Sequence, residues 1–500
     1  MLKMVDGTGI IGVDMVCPLG ISTPQPPNYD KVEMEGVGSL MLPNSLKAPL
    51  ERVELLGNST QGENPAPDNP QEIKSAGRKS KNLFNIADLR VGQVQKDGTI
   101  NEKQIYYRTV ILDVPQDGKY RITFNSNDDY TMLYLTEAYA NGAYSNPYIR
   151  VHAGNPNYYI TLAKGKNILS FSTHTASGNI AFTTDHNIMI AAESETLDYE
   201  PYGYFFDLKI TGKNLFDREK ARDITNWIVR DGNGYAKFPI RVGKGNKVTF
   251  YYSEKLTTGK GFYVGITQSE TSAIVSWLYH SAETNLNNKK YTAVAAGDYI
   301  YLSCTISGIQ KFVDTIQTLQ VEIGSEQTEY EPYTEQTVQI ALNEPLRGIG
   351  EYKDVLTKDG VVRRILEAPL VKYLKPVING NVGNRYVFAE VPNANINYDR
   401  ERCMSNVGFT NSAEKKKYIP HPYQLNFLIR VADDDTIEMV KEKIKDIIVA
   451  YTAKEPITEP LPESVQQQLQ ALHSENGVTH VFVDSGEVPC GIKLTYRKEK

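Results

Sequence analysis

Along most of this chain apolar and polar residues alternate with a period of two, the pattern of half-buried strands. Tyr120, Ile122 and Phe124 alternate with Arg121 and Thr123 directly after the turn signal Gln116-Asp117-Gly118. Val248-Thr249-Phe250-Tyr251-Tyr252 follows Gly243-Lys244-Gly245-Asn246 in the same way. Phe206, Leu208 and Ile210 repeat the alternation, as do Val338, Ile340 and Leu342. Near the end, Ile492, Leu494 and Tyr496 alternate against Lys493, Thr495 and Arg497. A helical period enters only in the last third. Ile437, Val440, Ile444, Ile447 and Ile448 line one face of a helix expected over 436–449, with Asp435 and Glu438 as its capping box. Pro462 opens a second, over 462–473, which buries Val465, Leu469 and Leu472 and is stopped by Gly477.

Two groups of words occur twice. Lys81-Asn82-Leu83-Phe84 returns as Lys213-Asn214-Leu215-Phe216, and Tyr199-Glu200-Pro201-Tyr202 as Tyr330-Glu331-Pro332-Tyr333. The spacing of about 132 residues is that of a whole domain, longer than the roughly 20–50 residues of a solenoid repeat. Asn82, Phe84, Asn214 and Phe216 open the copies; Tyr199, Tyr202, Tyr330 and Tyr333 close them. These eight read as framework: the Lys-Asn-Leu-Phe word enters a strand with Leu and Phe plugging the core, and the proline of the closing word ends one.

The expected fold is mainly β: two tandem antiparallel β-sandwich, jelly-roll-like domains plus a C-terminal mixed β domain with two helices. Residues 1–46, Gly-, Pro- and Met-rich, form an N-terminal anchor segment; 47–77 a short strand (Leu50, Val53, Leu55) and a Pro-rich linker; 78–205 and 206–340 the two sandwich copies; 341–500 the C-terminal domain.

Composition narrows the chemistry. With 500 residues, 40% hydrophobic and a net charge of -6, the chain builds ordinary cores and shows no basic stripe for nucleic acid. Cys17, Cys304, Cys403 and Cys490 lie far apart, and the 7 histidines form no ligand pair, so neither a disulfide framework, a metal site nor a cofactor is expected. No apolar run is long enough to insert into a membrane, and no secretory signal is apparent. No GxSxG, Walker or nucleophile pattern occurs, which argues against an enzyme.

The chain holds 32 tyrosines against 2 tryptophans. Sugars stack C–H faces on aromatic rings while amides and carboxylates bind their hydroxyls. On that chemistry the glycan-binding candidates are Asn127, Asp128, Tyr130, Tyr139, Tyr144 and Tyr148 in copy one, and Trp277, Tyr279 and His280 in copy two. Each has a plainer reading. The first set also suits solvated turns, and Trp277 and Tyr279 alternate as strand core residues would. Asn127, Asp128 and Asp129 fit no EF-hand spacing, and Asp433-Asp434-Asp435 is better explained as a helix start.

Ala48-Pro49-Leu50, then Gly57 through Ile73, resembles a linker of tail-associated minor structural proteins of phages and prophages of Gram-positive bacteria. Residues 322–333, Asn343 to Gly350 and Tyr451 to Leu461 are similar to segments of the same proteins, so the resemblance covers roughly residues 48–500. It implies a virion protein, made in the host cytoplasm, of tail fibre or baseplate type, homo-oligomeric and, as is often so in such proteins, a trimer. In that reading residues 1–46 contact other virion proteins and the sandwiches adhere to host-surface carbohydrate. A capsid decoration or head-fibre role and a glycan depolymerase are the alternatives. Residues 1–46 match no part of the resemblance, and the first copy closes with Ala191 to Asp198 where Glu-Ile-Gly-Ser is usual.

Overall fold

The computed structural model describes residues 3–5, 10–13, 29–45, 47–125, 132–155, 157–172, 174–175, 178–179, 187–196, 198–226, 228–230, 235–251, 263–267, 276–280, 290–297, 299–305, 320–326, 328–410 and 416–499. The chain is mainly β, and its strand pairs are antiparallel.

One sheet organises the rest. Its twelve strands are, in chain order, β1 (Tyr29–Val37), β2 (Ser39–Ser45), β3 (Arg52–Leu56), β4 (Arg78–Lys79), β5 (Tyr204–Thr211), β6 (Glu335–Leu342), β7 (Val355–Leu356), β8 (Gly360–Pro369), β9 (Cys403–Ser405), β10 (Ile448–Pro460), β11 (Gly477–Asp484) and β12 (Gly491–Glu499). Across the sheet they run β6-β5-β11-β2-β12-β3-β7-β8-β10-β9, with β1 also on β12 and β4 on β5. Alternation decides the inward face. Phe206, Leu208 and Ile210 of β5, Val338, Ile340 and Leu342 of β6, Leu40 and Leu42 of β2, and Ile492, Leu494 and Tyr496 of β12 share one core with Val53 and Leu55. Fully burying each aliphatic side chain there contributes about 1.5–3 kcal/mol.

This sheet redraws the expected boundaries. Residues 29–45, expected within an anchor segment, are β1 and β2: Tyr29 to Val37 pair with Glu499 to Gly491, and Ser39 to Leu42 with Phe482 to Thr479. Within 47–77 the short strand expected around Val53 and Leu55 is β3, and the Pro-rich stretch after it is bracketed by a small hairpin, Ser59–Gln61 with Ile73–Ser75. β5 and β6, expected at the start of copy two and the end of copy two, pair with each other from Tyr204↔Leu342 to Thr211↔Glu335. Each repeated module is therefore an insertion. Module 1 leaves from β4 and returns as β5; module 2 leaves from β5 and returns as β6. The alternating residues of β5 and β6 mark them as strands but not as partners, since pairing joins segments more than a hundred residues apart.

The two modules have one topology. In module 1 Tyr107–Val114 pairs with Gly165–Ser172, which pairs with Met132–Ala140; opposite them Gly118–Thr123 pairs with Tyr158–Leu162 and Met189–Ala192. In module 2 the same places are taken by Tyr235–Arg241, Tyr299–Thr305 and Tyr263–Thr267, and by Lys247–Tyr251, Lys290–Val294 and Gln320–Ile323. These six strands of each module alternate between its two sheets in chain order. In module 1 Val110, Leu112, Leu133, Leu135, Leu169 and Phe171 of one sheet meet Tyr120, Ile122, Ile160 and Ile190 of the other.

The repeated words sit at the module roots. Asn82 is buried; its Oδ1 accepts from the N–H of Phe84 (2.9 Å) and Ile190 (3.0 Å), and its Nδ2 donates to the Ile188 carbonyl (3.0 Å). Asn214 repeats the device with the N–H of Phe216 (3.0 Å) and Val321 (3.3 Å) and the Glu331 carbonyl (2.8 Å). Each asparagine thus ties the opening of its module to the closing strand. The Lys-Asn-Leu-Phe word is not a strand, contrary to expectation, because asparagine side chains replace the ladder there. Phe84, Leu215 and Phe216 are buried, whereas Leu83 is only half-buried. Glu200 accepts from the Lys81 N–H (2.9 Å) and pairs with Arg78 (2.8 Å). Burial opposes its ionisation, but those bonds outweigh it and hold its carboxyl below the usual range. At Gly203 (φ 140°) a Cβ would lie 2.4 Å from the Leu342 carbonyl oxygen, so only glycine admits the turn into β5.

The last third packs a three-stranded sheet (Tyr386–Ala389, Asn426–Arg430, Pro420–Tyr423) and a helix, Ile437–Lys443, against β8, β9 and β10. That helix is shorter than expected: Val440, Ile444 and Ile447 are buried, but Ile448 opens β10. Its cap is Thr436, whose Oγ1 accepts from the Met439 N–H (3.3 Å). Asp435, expected in that role, is instead buried on Tyr418 Oη (2.6 Å) and Lys443 Nζ (2.5 Å). The second helix is Glu463–Gln470, starting after Pro462, with Leu469 and Leu472 in the central core; Gly477 opens β11 rather than ending the helix. Cys403 and Cys490 are buried free thiols, which burial pushes up to about 12 and about 11.

Candidate binding surface

In module 1 the strands that bury Leu133, Leu135, Val110 and Val151 turn the residues between them outward. Across the larger sheet Tyr107 pairs with Ser172, Ser172 with Tyr134, and Tyr134 with Arg150. The result is a row of four side chains on four adjacent strands: tyrosine, serine, tyrosine, arginine. The Arg150 guanidinium lies 5.8 Å from the Tyr134 ring centroid and 5.5 Å from that of Tyr148, held between two ring faces. Tyr148 is 60% exposed and takes a left-handed backbone, φ 44°, that turns its ring toward this row.

The next row carries polar groups. Thr109 and Ser170 join hydroxyls at 2.6 Å, and Ser170 Oγ accepts from the Val94 N–H (2.8 Å), which seats the hairpin of Gln93–Val94 and Ile100–Asn101 on the sheet. Glu137 is buried and accepts from Gln93 Nε2 (2.7 Å). Burial, then Glu137, then Tyr144 and Tyr148 push the Tyr107 phenol up, so its hydroxyl remains a donor at neutral pH. Burial and Glu137 push Tyr144 in the same direction. The surface therefore offers ring faces, phenolic donors and one guanidinium side by side, above a buried carboxylate already bonded to Gln93 and Thr136, which is chemistry suited to polyhydroxylated ligands.

Of the expected site residues, three come together here. Tyr139 and Tyr144 lie opposite each other in a hairpin turned by Asn141 and Gly142 (φ 48° and 80°), so they stand on strands and not in a loop. Their exposure differs. The ring of Tyr139 lies under the 95–99 turn, where a Cβ at Gly98 would come within 2.6 Å of it; Tyr144 borders a depression with Gln93, Gln95 and Asp97. Tyr148 is open. Asn127, Asp128 and Tyr130 lie outside the described residues.

In module 2, Ser276–His280 pairs with Tyr263–Thr267, but the register shifts between Val264 and Gly265. Tyr279 lies opposite Val264 and Trp277 opposite Gly265, so the two do not follow the simple alternation expected of them. His280 lies opposite Tyr263, Tyr263 opposite Ser303, and Ser303 opposite Lys237. In the shared topology Lys237 and Ser303 take the places of Thr109 and Ser170, one row along from Tyr107 and Ser172, whose counterparts in module 2 are Tyr235 and Thr305.

Sequence reasoning missed Tyr107, Tyr134, Glu137 and Arg150. The signal was present: Tyr134 stands between Leu133 and Leu135, and Arg150 between Ile149 and Val151, each in the polar phase of an alternating strand. The framework tyrosines do not join the surface. Tyr199 is 41% exposed, Tyr202, Tyr330 and Tyr333 are half-buried, and Tyr333 Oη donates to Glu335. A larger cleft, about 730 Å³, lies where module 1 meets the central sheet, lined by Lys74, Arg78, Arg347, Asp113, Glu367 and Glu487. Its charges are spent on one another, Lys74 with Glu487 and Arg347 with Glu367 (3.4 Å). No group of metal-ligating side chains occurs among the described residues, and among them no helix is long and apolar enough to cross a membrane.

No protein-family model matches the chain, and no curated protein matches it. Among solved structures it is aligned with an arabinofuranosyltransferase from Mycobacteria over 78% of its own length and 32% of that chain, at 9% identity and a TM-score of 0.14. This chain thus spans about a third of that protein, and a likeness at that score carries no argument about fold or activity.

Proposed function

We propose that the chain is a non-enzymatic virion structural protein of tail-fibre or baseplate type whose sandwich modules adhere to glycans of the host surface. The observation that carries the binding half of this reading is the outward row Tyr107, Ser172, Tyr134 and Arg150, with Tyr148 beside it. Stacking of single sugars is weak, and many copies on one particle turn it into useful avidity through high local concentration. The virion half rests on the order of the linker and closing words along residues 48–500. Attachment to other virion proteins falls to residues before Tyr29, since β1 and β2 are built into the central sheet.

Two modules rooted at both ends in one sheet suit this role, because a load on either is carried by paired strands rather than by a single tether. The test is retention of the full chain, displayed multivalently, on isolated host cell walls. Tyr134→Ala/Tyr148→Ala is expected to lower retention at least ten-fold with an unchanged melting temperature. No retention of the unaltered chain at any valency would overturn the adhesion reading and leave a spacer role.

A further inference from the structure

Resting on that reading, we propose that the module surfaces select acidic glycans, with Arg150 binding the carboxylate or phosphodiester of the polymer. Several arginines have carboxylate partners, Arg78 with Glu200, Arg363 with Asp354, Arg402 with Asp399 and Arg497 with Glu51, and others, Arg108, Arg121 and Arg241, spend their N–H groups on carbonyl oxygens. Among the described residues Arg150 has none; it is exposed and its contacts are the faces of Tyr134 and Tyr148. Ring faces restrain a guanidinium through its plane and leave its in-plane N–H edge open, the edge that grips a planar oxyanion with two hydrogen bonds. The restraint lowers the entropy lost on binding.

Position supports the pairing of ring and charge. A sugar stacked on Tyr148 or Tyr134 places its exocyclic acid group within about one strand spacing, roughly 4.8 Å, of Arg150. In module 2 a different row, that of Tyr263 and Ser303, has Lys237 and His280 at its ends by register, so basic residue types lie along the corresponding sheet of that module too, although the whole chain carries -6. A neutral glycan has no use for a cation at these places. An acidic one would otherwise be repelled by the net charge of the protein.

The experiment measures binding of the full chain to three immobilised polymers: polygalacturonate for carboxylates, poly(glycerol phosphate) for phosphodiesters, and neutral dextran. Arg150→Gln is expected to weaken binding to at least one acidic polymer about ten-fold, and Arg150→Gln/Lys237→Gln/His280→Gln further, with the melting temperature kept. Which acidic polymer is held distinguishes the two sources of charge. Raising salt from 50 to 300 mM should weaken the unaltered chain more than the triple variant. A triple variant within two-fold of the unaltered chain, or a preference for dextran, overturns the acidic class while leaving glycan adhesion standing. If no polymer is bound but host cell walls are, the acidic class is likewise overturned. Failure on cell walls as well sinks the adhesion reading itself.

Discussion

Replacing Asn82 by alanine should unfasten module 1 while leaving module 2 intact. Three buried backbone groups depend on that side chain: the N–H of Phe84 and Ile190 and the carbonyl of Ile188. Alanine leaves all three without their partner in a site that is 2% exposed. An orphaned buried polar group costs about 1–3 kcal/mol, and part of that is recovered if water enters the space left behind. The expected loss is about 3–5 kcal/mol for a module of roughly the usual domain size, enough to lower its own melting transition by on the order of 10–15 °C. Hydrogen exchange read by mass spectrometry locates the effect: amides of Phe84 and Ile190 should lose protection first, followed by the strand Gly118–Thr123 that pairs with Met189–Ala192. The duplication supplies the control, because Asn214→Ala should do the same to module 2 alone. A loss below about 1 kcal/mol, or loosening spread equally over both modules, would refute the idea that these asparagines close the modules.

Three further outcomes follow from buried charge. Asp354 is fully buried and accepts from the N–H of Arg347 (3.0 Å), Arg364 (2.7 Å) and Ile365 (2.9 Å) beside the buried Arg363 guanidinium (3.4 Å). Asp354→Ala should cost about 3–5 kcal/mol in a denaturant titration, and a shift under about 1 kcal/mol would contradict that role. Burial pushes the His480 imidazole down to about 4 from the ordinary 6.5. Below 6.5 the unfolded chain takes a proton that the folded chain refuses, so stability is level above 6.5 and declines toward 4; His480→Leu should flatten that decline. The Glu200 carboxyl is held below its ordinary value, so its contribution is present above about 4.5 and lost as pH falls through the lower folded value. Melting curves between pH 3 and 8 separate the two windows, and Glu200→Gln should blunt only the more acidic one.

Much of the fold was legible because a period of two is local. Tyr120 and Ile122, Val248 and Phe250, and Ile492, Leu494 and Tyr496 are buried strand residues, as the pattern required, and Phe124 is buried just past the end of its strand. The helix over Ile437–Lys443 was legible in position but not in length, because Ile448 satisfies the helical period and the strand period equally and pairing with Pro369 decides for the strand. Of the surface, Tyr139, Tyr144 and Tyr148 were found as aromatics near a turn. Tyr134 and Arg150 were missed because a polar-phase residue shows its neighbours only when the strands beside it are known.

The sequence by itself determined that the chain is mainly β, that one module is written twice, and which words mark its ends. Those properties depend on residues close together along the chain and on likeness between its parts. Tertiary structure alone decided that the repeated words are roots rather than edges, that β1 and β2 belong to the central sheet, and that four residues drawn from Tyr107 to Ser172 form one row. Backbone pairing is the physical reason. A strand carries the same donors and acceptors whatever its partner, so the choice of partner is made by the shared core, and the core exists only once the distant segments meet.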